Sequence, residues 1–157
     1  MLVRPATPSD VPVLLALVRE LAEYEREPDA VTMTGAQLTS ALFVPEPHLF
    51  AHVAEVEDQV IGMAIWFLNF STWEGRHGIY LEDLYVTPAA RGAGAGRRLL
   101  QTLAEICLTN GYPRLELSVL DWNTPAIGFY RSIGAIGMDE WTVQRVTGDA
   151  LTRLGGD

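Results

Sequence analysis

YLEDLYVTPAARGAGAGRRLL, residues 80–100, decides how the chain folds. An apolar run stops at Thr87-Pro88, three glycines alternate with small residues between arginines, and an apolar periodicity resumes at Leu99. Proline cannot continue a strand ladder, and glycine accepts dihedrals that other residues resist. The stretch therefore reads as strand, tight loop, helix. A helix N-terminus exposes unpaired N–H groups at the positive end of its dipole, a ready anion site. A phosphate or pyrophosphate suits such a loop.

Three uses of a glycine loop compete. A P-loop nucleotidase requires Lys-Ser/Thr at its end, where this chain has Arg97-Arg98. A dinucleotide fold wants G-x-G-x-x-G; counted from Gly92 the third position is Arg97, and counted from Gly94 it is Leu99. The third pattern, R-x-x-G-x-G/A, is met by Arg91, Gly94 and Gly96.

Upstream, Leu2–Arg4 reads as a first strand, and Thr7-Pro8 opens a helix carrying Val11, Leu14, Leu15, Val18 and Leu21 at helical spacing. Thr34 and Gln37 form a capping box that opens a second, short helix towards Phe43. Residues 48–56 and 60–68 read as a hairpin turning at Glu57-Asp58-Gln59, and Ile79–Val86 as the next strand. Downstream, a helix over 94–109 ends at a left-handed Gly111 cap, Arg114–Leu120 is a strand, and Asn123 caps a short helix ending by Gly134. Trp141–Val146 reads as a last strand before a short tail. Hairpins followed by a strand–helix–strand crossover imply an α/β (α+β) fold, a mixed sheet with helices on both faces.

The chain has 157 residues, which favours a single domain over 1–157. A formal net charge of −9 argues against nucleic acid and favours cationic partners. The one cysteine, Cys107, excludes an intrachain disulfide and suggests a reducing, cytoplasmic setting. No apolar stretch approaches the roughly 20 residues that span a bilayer, so no membrane partner is expected. His48 and His52 lack an evident third ligand, and no metal is expected.

R-G-x-G-x-G after a strand, with N-x-P-A-x-x-F-Y at residues 123–130 downstream, resembles the GNAT superfamily of acetyl-CoA-dependent N-acetyltransferases. ELAEYE at residues 20–25, YLEDLYV before the loop and DWNTPAIGFY beyond it resemble the diamine (spermidine/spermine) and thialysine acetyltransferase branch. The resemblance spans about residues 3–146. It implies a mostly antiparallel mixed sheet of six to seven strands, splayed between the fourth strand, holding Tyr80–Val86, and the fifth, holding Arg114–Leu120. Pantetheine would lie in the splay against backbone of Leu84, Tyr85 and Val86, with Asn123 as a side-chain contact. The pyrophosphate would rest on amides of Arg91, Gly92, Ala93, Gly94, Ala95 and Gly96, and Arg97 or Arg98 would reach the nucleotide phosphates. A homodimer is a further implication.

Acetyl transfer to an amine requires a proton acceptor for an ammonium of pKa about 10.4 and a proton donor for the departing thiolate. Alternation along YLED puts Tyr80, Glu82 and Leu84 on one face, which makes Glu82 the base or water relay and turns Asp83 the other way. The resemblance makes Tyr130 the acid facing the sulfur. It also makes Tyr24, Glu25, Trp73, Glu82 and Asp83 the acceptor-binding set. Around FSTWEGRHG the tryptophan lies one residue further from YLED than in the polyamine enzymes, and Ser71 or Thr72 stands where they carry an acid. A shorter diamine or a lysine-like amino acid therefore stands beside a polyamine, with Arg76 available for a carboxylate. An acyl-CoA-binding sensor on the same fold is the alternative of a different class.

Overall fold

The computed structural model describes residues 1–156. Their strands are β1 (Leu2–Pro5), β2 (Phe50–Val56), β3 (Gln59–Ser71), β4 (Arg76–Val86) and β5 (Leu115–Leu117). Their helices are α1 (Val11–Tyr24), α2 (Gly35–Leu42), α3 (Ala95–Asn110), α4 (Thr124–Ser132) and α5 (Gly148–Gly155). The chain forms two compact units, Met1–Ser118 and a second that begins at Val119.

The first unit holds one sheet in the order β1-β2-β3-β4-β5, antiparallel except for the parallel β4–β5 pair. Strands alternate their side chains between two faces, so each face acquires its own helices. On one face Val11, Leu14 and Leu17 of α1 and Leu38 and Leu42 of α2 pack on Ala51, Val53, Met63, Ile65 and Tyr85. On the other, Ala64, Trp66, Ile79 and Leu81 are buried together with Leu99, Leu100, Leu103 and Cys107 of α3. Burying each such aliphatic side chain contributes roughly 1.5–3 kcal/mol.

Local signals fix the joints. Glu57 and Asp58 both take positive φ, 50° and 61°, between the paired residues Val56 and Gln59, a two-residue hairpin turn. Thr34 and Gln37 form the expected capping box, and Gly111 caps α3 with φ 69°. At the start of α1, the Thr7 N–H donates to Asp10 Oδ2 at 2.7 Å. Arg4 ties that carboxylate to β2, with Nη1 2.7 Å from Asp10 Oδ2 and Nη2 2.6 Å from Glu55 Oε2.

Three expectations change. Trp141–Val146 is not a strand: it has no ladder partner, and Trp141 and Val143 stand 70% and 77% exposed. Strand propensity measures fit to a neighbouring strand and does not hold a segment extended alone. The strand at 114–120 shrinks to Leu115–Leu117, and the tail forms α5, so the sheet has five strands among the described residues.

The Arg4 fork, above all its hydrogen bond to Asp10, holds the Asp10 carboxyl down to about 2. A depressed acid contributes stability above its unfolded value and loses it as pH falls through the folded one. Asp10→Asn is therefore expected to lower stability by about 1–3 kcal/mol at pH 7. The deficit shrinks by pH 3, where the unfolded wild type also binds the proton. Urea titration at the two pH values measures this, and an equal deficit at both refutes the charge-based account.

Candidate active site

The β4–β5 ladder is three residues long: Ile79 pairs with Leu115, Tyr80 with Glu116 and Leu81 with Leu117. At its end the Tyr80 hydroxyl meets Ser118 Oγ at 2.6 Å. Beyond Leu81, β4 keeps its pairing with β3 but has no strand partner on the β5 side through Val86 among the described residues. A sheet edge is thereby opened between its fourth and fifth strands, as the family resemblance implied.

The open edge runs into the glycine loop. Gly92 and Gly94 take left-handed φ of 85° and 83°, and Gly94 is the N-cap of α3. A Cβ on either glycine would meet nothing within 4 Å, so the backbone dihedral, not crowding, demands glycine. Another residue there costs about 1–2 kcal/mol. The first α3 hydrogen bond across the loop is Arg98 N–H to Gly94 O at 2.9 Å. The amides of Ala95, Gly96 and Arg97 are thus first-turn donors without helical acceptors. Arg97 and Arg98 are exposed on that turn, and Ala95 is buried beneath it.

The acidic residues are arranged by an irregularity that alternation alone does not reveal. Ile65 pairs with Asp83 but Trp66 pairs with Leu81, so Glu82 is an extra residue in the ladder, a β-bulge. The bulge shifts every residue after it to the opposite face. Tyr80, Asp83 and Tyr85 stand opposite Phe67, Ile65 and Met63, on the α1 side, whereas Leu81 and Leu84 stand opposite Trp66 and Ala64 on the α3 side. The expected common face of Tyr80, Glu82 and Leu84 is therefore corrected. Glu82 is exposed at the bulge, and Asp83 is half-buried with Glu25, at the end of α1, within electrostatic reach. Burial first, then the charges of Glu82 and Glu25, pushes the Asp83 carboxyl up to about 6. Burial also raises Glu25.

Arg91 takes a position that its place in the loop does not foretell. Its guanidinium lies 5.2 Å from the Tyr24 ring centroid and 5.4 Å from that of Tyr85, and Nε donates to the Val86 carbonyl at 3.1 Å. Tyr85 is buried, and burial raises its hydroxyl, with Glu20 adding to the rise and Arg91 opposing it. The sequence signal for this contact was a tyrosine at the end of α1 and another on β4, neither diagnostic alone.

Tyr24, Glu25, Glu82, Asp83, Tyr85, Val86 and Arg91 are thus brought to one end of the first unit. Trp73 is not among them: it sits 89% exposed on the β3–β4 turn, at the opposite end of β4 from Val86. Arg76 shares that far end, donating to Gly111 O at 3.1 Å, and strand rise separates it from Asp83 by about 20 Å. His52 is buried and accepts a hydrogen bond from Trp66 Nε1 on Nδ1 at 3.1 Å. Among the described residues, no three His, Cys, Asp or Glu side chains gather as metal ligands. Cys107 is buried, and its thiol faces Arg114 O at 3.7 Å. In the second unit, Asn123 is buried and caps α4 by accepting from Ala126 N–H at 3.3 Å. Tyr130 lies in the last turn of α4, its ring 5.4 Å from that of Phe129. No described helix is long and apolar enough to cross a membrane.

A strand open along one edge thus leads into a left-handed glycine loop and a helix N-terminus whose first-turn amides are suited to an anion. The chain belongs to the acetyltransferase (GNAT) family, whose profile matches residues 14–135, and is an N-acetyltransferase with acetyl-CoA as its donor. It is 38% identical to a thialysine N-epsilon-acetyltransferase of Bos taurus, over 99% of this chain and 98% of that protein. It is 34% identical to a spermidine/spermine N(1)-acetyltransferase-like protein of Homo sapiens, over 87% of this chain but 20% of that longer protein. Its fold matches an integron cassette protein from the mobile metagenome of V. cholerae with a TM-score of 0.82 and 27% identity, covering 99% and 98% of the two chains.

The two causes acting on Asp83 are separable by carboxyl NMR titration. Because burial dominates, Glu25→Gln is expected to lower the Asp83 value only in part, leaving it above an ordinary aspartate. A return to the ordinary value would make the Glu25 charge the main cause.

Proposed function

We propose that the chain transfers the acetyl group of acetyl-CoA to the terminal amine of a lysine-like amino acid. The observation that carries this reading is the half-buried Asp83 beside Glu25, next to the open edge of β4. Two part-buried carboxyls that are both raised by desolvation, one of them also by its acidic neighbours, are a site for an ammonium group, whose charge relieves both. The full-length likeness to a thialysine enzyme supports an amino-acid acceptor over a long polyamine.

In this reading Tyr24, Glu25 and Asp83 hold the ammonium. Glu82, exposed at the bulge, takes its proton directly or through water, and the neutral nitrogen attacks the thioester carbonyl. The C–N bond forms, the C–S bond breaks, and the Tyr130 phenol supplies the proton to the departing thiolate. No covalent enzyme intermediate and no metal are required, because the substrate's own nitrogen is the nucleophile. The donor's pantetheine pairs with backbone of Leu84–Val86 and contacts Asn123, and its pyrophosphate takes the amides from Arg91 to Gly96, with Arg97 or Arg98 on the nucleotide phosphates. This reading leaves Trp73, on the β3–β4 turn at the far end of β4, out of the acceptor site.

The two compact units belong to one catalytic domain, since the family match runs across their boundary. We further infer a cytoplasmic homodimer, supported by the single reduced cysteine and by the exposed Ile136, Trp141 and Val143.

A thiol-release assay across thialysine, lysine, ornithine, putrescine and spermidine tests the acceptor. The amino acids are expected to have the higher kcat/KM, and a preference for spermidine overturns that part of the reading. Tyr130→Phe should lower kcat by about 10²-fold while acetyl-CoA affinity changes little; near-wild-type turnover removes the acid. Asp83→Asn should raise the amine KM about tenfold and abolish its fall as pH rises through about 6, where the wild-type carboxyl ionises.

A further inference from the structure

We propose that Arg91 is a positioning residue for the acceptor amine, locking the end of α1 to the end of β4, rather than a phosphate ligand of the glycine loop. The proposal rests on the acceptor reading above. The planar guanidinium lies 5.2 Å from the Tyr24 ring and 5.4 Å from the Tyr85 ring, while Nε holds the Val86 carbonyl at 3.1 Å.

These three partners come from different parts of the machinery. Tyr24 is the last residue of α1, and Glu25, its C-cap, bears on Asp83. Tyr85 is buried in the core under α1, on the same face of β4 as Asp83. Val86 ends the open donor edge, five residues before Arg91 itself. One guanidinium therefore fixes how far Glu25 stands from Asp83, and it does so from the loop that receives the donor. Arginine suits the task because its flat cation stacks on two rings while its N–H groups remain free to donate; lysine, a compact charge, cannot do both. Donor-loop order and acceptor-site geometry become one structural unit, so the amine site is complete only when the loop is in place. Arg91 is itself exposed, so its replacement removes no buried side chain.

The test compares Arg91→Met, Arg91→Lys, Tyr24→Leu and the Arg91→Met/Tyr24→Leu double variant, with acetyl-CoA and with S-acetylpantetheine, which lacks the pyrophosphate. Arg91→Met is expected to raise the amine KM about tenfold with both donors, and Arg91→Lys to stay closer to Arg91→Met than to wild type. The double variant should be no worse than the poorer single. A penalty confined to the acetyl-CoA KM and absent with S-acetylpantetheine makes Arg91 a phosphate ligand and overturns the proposal. Additive effects with Tyr24→Leu overturn it too. Carboxyl NMR of Asp83 in Arg91→Met supplies a readout that needs no turnover: a shifted titration supports the clamp, and an unchanged one defeats it. Wild-type protein inactive on every amine would sink the acceptor reading, and the NMR result would still decide the clamp.

Discussion

The structure turns on the place where β4 loses its partner. Backbone N–H and C=O groups must be satisfied, and a sheet edge left open inside a fold is normally a liability. Here the ladder to β5 stops at Leu81, five residues before β4 ends, while pairing to β3 continues. The result is a strand whose last five residues have no neighbouring strand on that edge and are held from behind by β3, with the Val86 carbonyl accepting from Arg91 Nε. An extended ligand can add to such an edge as a further strand, with main-chain hydrogen bonds giving affinity. The amide and carbonyl groups of pantetheine suit that pairing, and the loop that follows has amides left over for an anion.

On its other edge β4 changes at nearly the same point. The bulge at Glu82 breaks alternation one residue after the β5 ladder ends. Bulges re-aim side chains, and this one brings Asp83 to the α1 side while leaving Glu82 exposed. Without the extra residue Asp83 would share the α3 face of Leu81 and Trp66, an apolar face that would bury its charge without an acceptor site beside it. The bulge therefore decides which carboxylate meets the end of α1.

Legibility in the sequence followed the range of the interactions. The capping box at Thr34, the turn at Glu57-Asp58, the Gly111 cap and the Asn123 cap were readable because each is local. The glycine loop was readable because Gly92 and Gly94 answer to their own dihedrals. The bulge was not readable, since it exists only in the register between β3 and β4. The faces assigned to Glu82 and Leu84 failed for that reason. Residues 141–146 failed differently: their composition suits a strand, but a strand needs a neighbour and none pairs with them here. Trp73 matched an expected motif within the sequence, while the hairpin carries it to the far end of β4.

Every influence resolved at Asp83 acts in the same direction: burial, Glu82 and Glu25 all disfavour its charge. A group so placed is short of a cation, and an ammonium supplies one. Yet the carboxylates that hold an ammonium also raise its pKa, which opposes the neutral nitrogen that attack requires. Strong acceptor affinity and fast chemistry thus compete if the carboxylates remain fully basic partners of a permanent cation. In the proposed reading the conflict is met by dividing the work, with Asp83 binding the ammonium and Glu82 taking its proton. In that reading the exposed Glu82 gives the proton a route to water. On this view the bulge does more than re-aim a side chain. It separates two adjacent acids into a half-buried one and an exposed one, the difference that the proposed division between binding and proton transfer requires.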